Sequence, residues 1–384
     1  MRNRFKEIAL AGGIVTASLF FSSCEKEVFP LYDDEIVTVD FKYNELADSL
    51  QAQMYATFQS SNGNYFVQDN SGNSTFHYWR NAHAVDVLVD GYLRTNDQAY
   101  VQRLTALVNG IKAQNNNTFL NNFYDDMEWL ALSSLRAYDA TDNAMFLETT
   151  NILWADIQKG ISNIAGGGVG WTKDRPYFKN TPANGPAIIL AARLARMNNN
   201  AQDLATARSL YTWLKATLVD PASFTVWDGI NYNNDMVITK NKYTYNPGTF
   251  IGAGLELYKS TGEAAYLNDA VRAANAVVSD LELSPGGLMK DEGQGDGGLF
   301  KGVLVRYLTL LATDKDVPAA DKDKIVRYLK YNAETLYQKG IKRPGLMISP
   351  AWNNAPGATT DLSTQLSGMM LIEAAAQLKK AGTI

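Results

Sequence analysis

The sequence predicts an all-α fold, an (α/α)6 barrel in which six inner helices are ringed by six outer ones. Three observations carry that prediction: apolar residues recur at helical spacing in twelve stretches, the links between the stretches alternate between short and long, and strand signals are scarce. The first helix is expected over 43–60, followed by the long link Ser61–His77. Helices 78–95 and 99–114 are joined by the short turn Thr95–Gln98 and followed by the long link Gln114–Tyr124. Helices 125–139 and 144–160 are paired through Ala140–Asn143, before the long link Ile161–Lys179. Helices 180–197 and 202–218 meet at Asn198–Ala201, and Val219–Tyr245 is the next long link. Helices 246–261 and 264–282 turn at Gly262–Glu263 and lead into Leu283–Gly297. Helices 298–313 and 319–338 turn at Asp314–Pro318, and Lys339–Thr360 leads to the last helix, 361–381. Short links join antiparallel neighbours, whereas recurring long ones in a compact domain point to function. With helices running up and down, every long link falls at one end, and six helices begin there, at Tyr78, Asp125, Asn180, Asn246, Gly298 and Asp361. A solenoid of helical hairpins is the alternative, but the pairs share neither a fixed repeat length nor a consensus.

Composition narrows the chemistry. The 384 residues carry a formal charge of −5, and no basic run lies beyond the N-terminus, so there is no electrostatic footprint for nucleic acid. Two histidines, His77 and His83, and a single cysteine, Cys24, leave no cluster for structural zinc and no disulfide within the chain. No metal or cofactor is expected, and the expected state is a monomer.

Residues 1–24 read as a secretory signal: Arg2, Arg4 and Lys6, then a mostly apolar run from Ile8 to Phe21, then Ser22-Ser23-Cys24. The apolar run is too short for a membrane span, which needs about 20 residues. This segment resembles the lipobox of bacterial lipoproteins, with Phe21 where a leucine is usual, and the resemblance implies lipidation at Cys24. A lipid anchor in the bacterial cell envelope follows, on the periplasmic or surface face of the outer membrane. Residues 25–40 are then a tether and 41–384 a single catalytic domain.

The six helix starts at the long-link end expose free N–H groups and the positive end of the helix dipole, a setting that favours carboxylates. Asp, Asn and Ser are also ordinary N-caps, so any one start alone reads as capping. The sharpest signal is Asn122-Phe123-Tyr124-Asp125-Asp126-Met127-Glu128-Trp129, two adjacent acids flanked by aromatic rings. Neighbouring residues stand about 3.8 Å apart at Cα, so both carboxyl groups can reach one small volume. Like charges that close push one pKa up, leaving one acid protonated and the other ionised, as a retaining glycosidase requires. Inverting enzymes separate their carboxyl groups more widely, at roughly 6.5–9.5 Å. Around the pair, Trp79, Tyr124, Trp171, Asn180, Tyr245, Asn246 and Asp296 are candidate glycan-holding residues. Gly166-Gly167-Gly168 lacks the Lys-Ser/Thr ending of a phosphate loop, and Asp291, Glu292 and Asp296 lack the spacing of an EF-hand. His83 and Asp86 share a face of the 78–95 helix and can bond a hydroxyl or each other.

These pieces together resemble glycoside hydrolase family 76, the endo-α-1,6-mannanases. The resemblance rests on Tyr78-Trp79-Arg80-Asn81-Ala82-His83-Ala84-Val85-Asp86, Tyr124-Asp125-Asp126-Met127-Glu128-Trp129, Lys179-Asn180-Thr181-Pro182-Ala183-Asn184-Gly185-Pro186, Tyr245-Asn246-Pro247-Gly248 and Asp296-Gly297-Gly298-Leu299-Phe300-Lys301-Gly302. It implies an (α/α)6 barrel, a retaining double displacement and α-1,6-linked mannan as substrate, with Asp125 the nucleophile and Asp126 the general acid/base. The sequence departs from the family pattern at Leu130, at Val169-Gly170-Trp171 and at Pro247. A glycan-binding lipoprotein without turnover, or a hydrolase of another α-linked glycan, remains open at this point.

Overall fold

The computed structural model describes residues 39–384, and its helices fall where the periodicity places them. They are α1 (Tyr43–Phe58), α2 (Tyr78–Thr95), α3 (Ala99–Gln114), α4 (Tyr124–Thr141), α5 (Ala144–Ile157), α6 (Thr181–Asn198), α7 (Ala201–Leu218), α8 (Tyr245–Thr261), α9 (Ala264–Ser279), α10 (Gly297–Thr313), α11 (Ala319–Thr335) and α12 (Leu362–Lys380). The even-numbered helices form the inner ring, each packed against the next, and α12 closes the circle on α2. Outside it, α3 lies on α2, α5 on α4, α7 on α6, α9 on α8, α11 on α10 and α1 on α12. This is the double ring of an (α/α)6 barrel.

Sequence decides which ring a helix joins. In α6 every residue from Thr181 to Ala192 is buried, and in α12 every residue from Leu362 to Ala376, as befits helices enclosed on all sides. The outer α3 instead buries a stripe, Tyr100, Leu104, Leu107, Val108 and Ile111, and leaves its other face to solvent. Four inner helices end in a left-handed residue, Asn96, Asp142, Asn199 and Gly262, whose N–H caps the last turn and reverses the chain into the outer helix. Gly298 and Gly302 let α10 approach α12 closely. A Cβ on Gly302 would stand 3.0 Å from the Ser367 Cα, and one on Gly298 would stand 3.0 Å from the Thr364 N.

The long links hold short strands that the sequence reading did not anticipate. β1 (Phe178–Asn180), β2 (Gly229–Asn231) and β3 (Val237–Thr239) form an antiparallel sheet, and β4 (Ile341–Lys342) pairs with β5 (Met347–Ile348). Two or three residues are too few for a period-two pattern to register. In the larger sheet Phe178 pairs with Asn231, Asn180 with Gly229, Asn231 with Val237 and Gly229 with Thr239.

Residues Phe41–Ile384 make one unit, and among the described residues no helix is long and apolar enough to cross a membrane. The signal segment, Cys24 and most of the tether lie outside the described residues.

Candidate active site

A cavity of about 760 Å³ opens at the end of the barrel where the inner helices begin. Its wall draws on the starts of five of them: Trp79 and Arg80 from α2, Asp125, Asp126 and Trp129 from α4, Asn180 before α6, Tyr243 and Tyr245 at α8, and Asp296 and Phe300 at α10. The sixth contributes through Asp361, which accepts from the Gly295 N–H at 2.8 Å and lies 3.6 Å from the Arg80 guanidinium.

Capping, the ordinary reading of acids at helix starts, accounts for little here. Of the six inner helices only α6 has a side-chain cap, with the Asn180 Oδ1 accepting from the Ala183 N–H at 3.3 Å. The cap position of α4 is Phe123, which has no capping side chain, so Asp125 and Asp126 are the second and third residues of the helix. Both are partly accessible from the cavity yet set deep among protein atoms.

The environments of the two acids differ. The Asp125 Oδ2 accepts from the Trp171 Nε1–H at 3.0 Å, and its Oδ1 accepts from the Asp126 backbone N–H at 3.1 Å. Asp126 has the Asn121 Nδ2–H at 3.0 Å as its side-chain donor. Burial pushes the Asp125 carboxyl up to about 7, with the Trp171 and Asp126 donors pulling the other way. Asp126 is raised well above the usual carboxylate range, first by burial and then by the charges of Asp125 and Asp296. Donors therefore favour an ionised Asp125, and a negative neighbour favours a protonated Asp126. One turn on, Glu128 is wholly buried, neither of its oxygens has a hydrogen-bond partner, and burial holds it neutral as well.

Trp171 is fixed from several sides. The Arg175 guanidinium lies 4.3 Å from its ring, and the edges of Phe123 and Phe178 approach at 5.5 and 5.6 Å. Its carbonyl accepts from the Tyr124 N–H at 3.0 Å, which ties the glycine loop to the start of α4. That loop wraps a cation rather than an anion: the buried Lys179 ammonium donates to the carbonyls of Ser162 at 2.9 Å and Gly168 at 2.7 Å, and also to that of Gly167. Convergent carbonyls repel phosphate, which is the physical reason that the triple glycine is no phosphate cradle.

Across the cavity the Tyr245 and Phe300 rings stack 3.9 Å apart, with Tyr243 5.4 Å from Phe300. Trp79 donates its Nε1–H to the Asp296 Oδ1 at 3.1 Å, and Arg80 holds the same oxygen at 3.2 Å. The floor is Trp129, whose ring lies 4.8 Å from that of the buried His83, and burial pushes the His83 imidazole down to about 3. His83 is therefore neutral, and Asp86 belongs not to the site but to an arginine network deeper in the barrel.

The structure thus gathers Asp125, Asp126, Trp79, Trp171, Asn180, Tyr245 and Asp296 around one cavity. It sets Tyr124 and Asn246 behind the wall. Tyr124 is rotated by one helix position from Asp125 and packs beside Gly160, where an added Cβ would meet its ring at 2.8 Å, and Asn246 is fully buried behind Tyr245. Two acids on the wall were not among the candidate residues: Asp228, raised by burial to about 6, and Glu292, raised by burial to about 7 although it accepts from the Thr244 N–H at 2.9 Å. The signal for Asp228 was Trp227-Asp228-Gly229, an acid between an aromatic residue and a glycine in the longest link.

A family model described as glycosyl hydrolase family 76 matches residues 42–383. Among solved structures, the α-1,6-mannanase GH76A of Salegentibacter sp. HEL1_6 superposes with a TM-score of 0.85 at 46% identity, covering 88% of this chain and 99% of that one. An inactive variant of that protein, in which two consecutive aspartates are replaced by asparagine, is bound to α-1,6-mannotriose and matches at 45% identity, with a TM-score of 0.85 over 88% of this chain and 99% of that one. The mannan endo-1,6-α-mannosidase DFG5 of Candida albicans is 26% identical over 67% of this chain and 62% of its own length. For DCW1 of Eremothecium gossypii, a mannan endo-1,6-α-mannosidase, the figures are 27%, 58% and 48%. The chain therefore spans about half to three-fifths of the length of these two relatives.

Proposed function

The chain belongs to glycosyl hydrolase family 76, and on that premise we propose that it is an endo-acting α-1,6-mannanase that works by retaining double displacement, with Asp125 as nucleophile and Asp126 as general acid/base. The observation that carries the reading is the unequal pair of carboxyls at the start of α4, open to an aromatic-walled cavity. Residues 42–383 contain one Asp-Asp dipeptide, Asp125-Asp126, and an inactive relative owes its name to the replacement of two consecutive aspartates.

In the first step the Asp125 carboxylate attacks the anomeric carbon while the protonated Asp126 gives its proton to the departing glycosidic oxygen. The product is a glycosyl ester on Asp125 and a shortened chain carrying the new hydroxyl. In the second step Asp126, now a carboxylate, takes a proton from water as that water attacks the same carbon. Asp125 leaves as carboxylate and Asp126 is again protonated. The Trp171 N–H orients Asp125 and spreads its charge while it is a carboxylate, before attack and after release. The Tyr245–Phe300 stack and Trp79 offer flat apolar faces to sugar rings, while Asn180 and Asp296 offer polar partners to hydroxyls. The same proposal includes anchoring of the mature protein through a lipid on Cys24, which the basic start, the apolar run and the acidic tether of residues 1–40 support.

The test is incubation of the protein lacking residues 1–24 with unbranched α-1,6-mannan, with sugar chromatography of the products and Asp125→Ala as control. A ladder of mannooligosaccharides whose first-formed ends are α-anomers is the expected result. No product, or a first-formed β-anomer, overturns the activity or the retaining mechanism respectively. For the anchor, detergent partitioning of full-length protein against Cys24→Ala is the measure, and equal partitioning overturns it.

A further inference from the structure

A cavity of about 760 Å³ is of a size to enclose a single drug-sized ligand, so a polysaccharide cut internally must continue onto the surface beyond it. The sheet formed by β1, β2 and β3 meets the cavity at one edge. Phe178, Asn180 and Asp228 line the cavity, and side chains on directly paired residues of neighbouring strands share a face. The cavity face of the sheet therefore runs outward in two rows: Phe178, Asn231 and Val237, then Asn180, Gly229 and Thr239. The opposite face, with Lys179, Ile230 and Ile238, turns towards the protein, and the first two of these are almost wholly buried. Gly229 confirms the sidedness, because a Cβ there would stand 3.0 Å from the Phe178 Cζ and 3.1 Å from the Asn180 Cβ. The Phe178 ring thus lies against the bare backbone of Gly229 at the cavity edge.

We propose that this face of the β1–β2–β3 sheet is a further binding surface, a ramp that carries the neutral, hydroxyl-rich chain of the substrate after it leaves the cavity. The inference rests on the mannanase reading and adds to it a determinant of chain length. Its chemistry selects the occupant. The rows hold two amides, a hydroxyl, an aromatic ring and Val237, which is 50% exposed, and they hold no charge. An uncharged surface of this kind gives no grip to a polyanion or a basic peptide, whereas amide and hydroxyl groups interleaved with apolar ones match the alternating faces of a sugar chain. Continuity with the cavity at Phe178, Asn180 and Asp228 fixes which part of the ligand arrives there.

The experiment compares α-1,6-mannotetraose with unbranched α-1,6-mannan as substrates for the wild type, Val237→Asp and the double variant Asn231→Ala/Thr239→Ala. An unpairable charge or lost hydrogen bonds on the ramp should lower kcat/KM on the polymer by roughly three- to tenfold, while the tetrasaccharide changes by less than about twofold. The Val237→Asp melt should coincide with that of the wild type, since Val237 is 50% exposed, and the double variant should melt only slightly lower, because the Asn231 Oδ1 also accepts from the Asn233 N–H at 3.1 Å. Equal losses on both substrates, or no loss on either, overturn the ramp. A wild type that releases nothing from either substrate refutes the mannanase reading instead. In that case retardation of the wild type and of Val237→Asp in a mannan-containing gel decides the surface, and equal retardation overturns it.

Discussion

The two ends of the barrel use the same residue types to opposite effect. Each inner helix runs from the cavity to the far end, and acids lie at both. Towards the far end four inner acids, Asp86, Asp90, Glu256 and Glu373, meet arginine. Arg136 and Arg306 clasp Asp86, with the Arg306 Nε 2.6 Å away, and share Asp90 at 2.7 and 2.9 Å. Arg193 and Arg196 hold Glu256 at 3.0 and 2.8 Å, and Arg94 holds Glu373 at 2.8 Å. The arginines keep Asp86 below the usual carboxylate range and bring Glu256 down to about 2; for Glu373 burial outweighs Arg94 and its pKa rises. At the cavity end Asp125, Asp126 and Asp228 have amide, indole or hydroxyl partners and all three are raised. A carboxylate matched by a cation is a strut with a fixed charge. One buried without a cation holds its proton to higher pH, because burial outweighs the neutral donors that favour its ionised form.

The comparison breaks most visibly at the pair itself. Asp125→Asn and Asp126→Asn should each cost at least about 10⁴-fold in kcat on unactivated mannan, because neither half of the double displacement proceeds without its group. Azide should restore turnover of Asp126→Ala on an aryl mannoside with a good leaving group. Rescue of Asp125→Ala with retained configuration instead would exchange the two roles.

The next effect belongs to the far end. Arg306→Met leaves Asp86 and Asp90 with Arg136 alone, and removing one partner of a buried ion pair costs roughly 3–5 kcal/mol. A chemical-denaturation midpoint well below wild type is expected, with kcat per folded molecule preserved. A midpoint within error of wild type would mean that the arginines are not struts.

Much of this was legible in the chain. The alternation of short and long links gave the ring, and the aromatic-flanked Asp125-Asp126 pointed to two acids that the fold sets on one cavity wall. The division between the two ends was not legible, because Asp86 and Asp126 look alike in sequence and differ only in the neighbours that ring closure brings. Arg306 lies 220 positions from Asp86, and Trp171 lies 46 positions from Asp125. Tyr124 shows the converse: a hundred-degree rotation per helical residue turned an aromatic beside the acids away from the cavity. The strands escaped notice because their length is below that of any pattern.

Trp171→Phe sharpens the account of the pair. It keeps a ring between Arg175 and Phe178 but withdraws the N–H from Asp125, a hydrogen bond to a charged group worth about 1.5–3 kcal/mol. The proposed mechanism needs Asp125 ionised in the free enzyme, and losing a donor to that carboxylate raises its pKa. The acid limb of the kcat/KM profile should move to higher pH, and kcat should fall by roughly ten- to a hundredfold at neutral pH. An unmoved acid limb would assign that limb to another group, Asp228 or Glu292 first.

The smallest effect is also the one that joins the two ends, the dependence of stability on pH. A raised carboxyl keeps its proton in the folded protein after the unfolded chain has released its own near pH 4. Between that pH and the folded value, which for Asp125 is about 7, the folded state binds more protons and stability falls as pH rises. Asp86 and Glu256 have the opposite sign: they stabilise the fold above the unfolded value, and that contribution fades as pH falls through the folded one, about 2 for Glu256. Opposed slopes place the maximum of the melting temperature in mildly acidic solution, below the pH at which Asp125 is fully ionised and turnover is fastest. Asp126→Asn removes one of the raised acids, so it should melt a few degrees above wild type at pH 8 and level with it at pH 4. A variant with equal gains at both pH values would show that packing, not the withheld proton, sets the difference, and the contrast between the ends would then rest on catalysis alone.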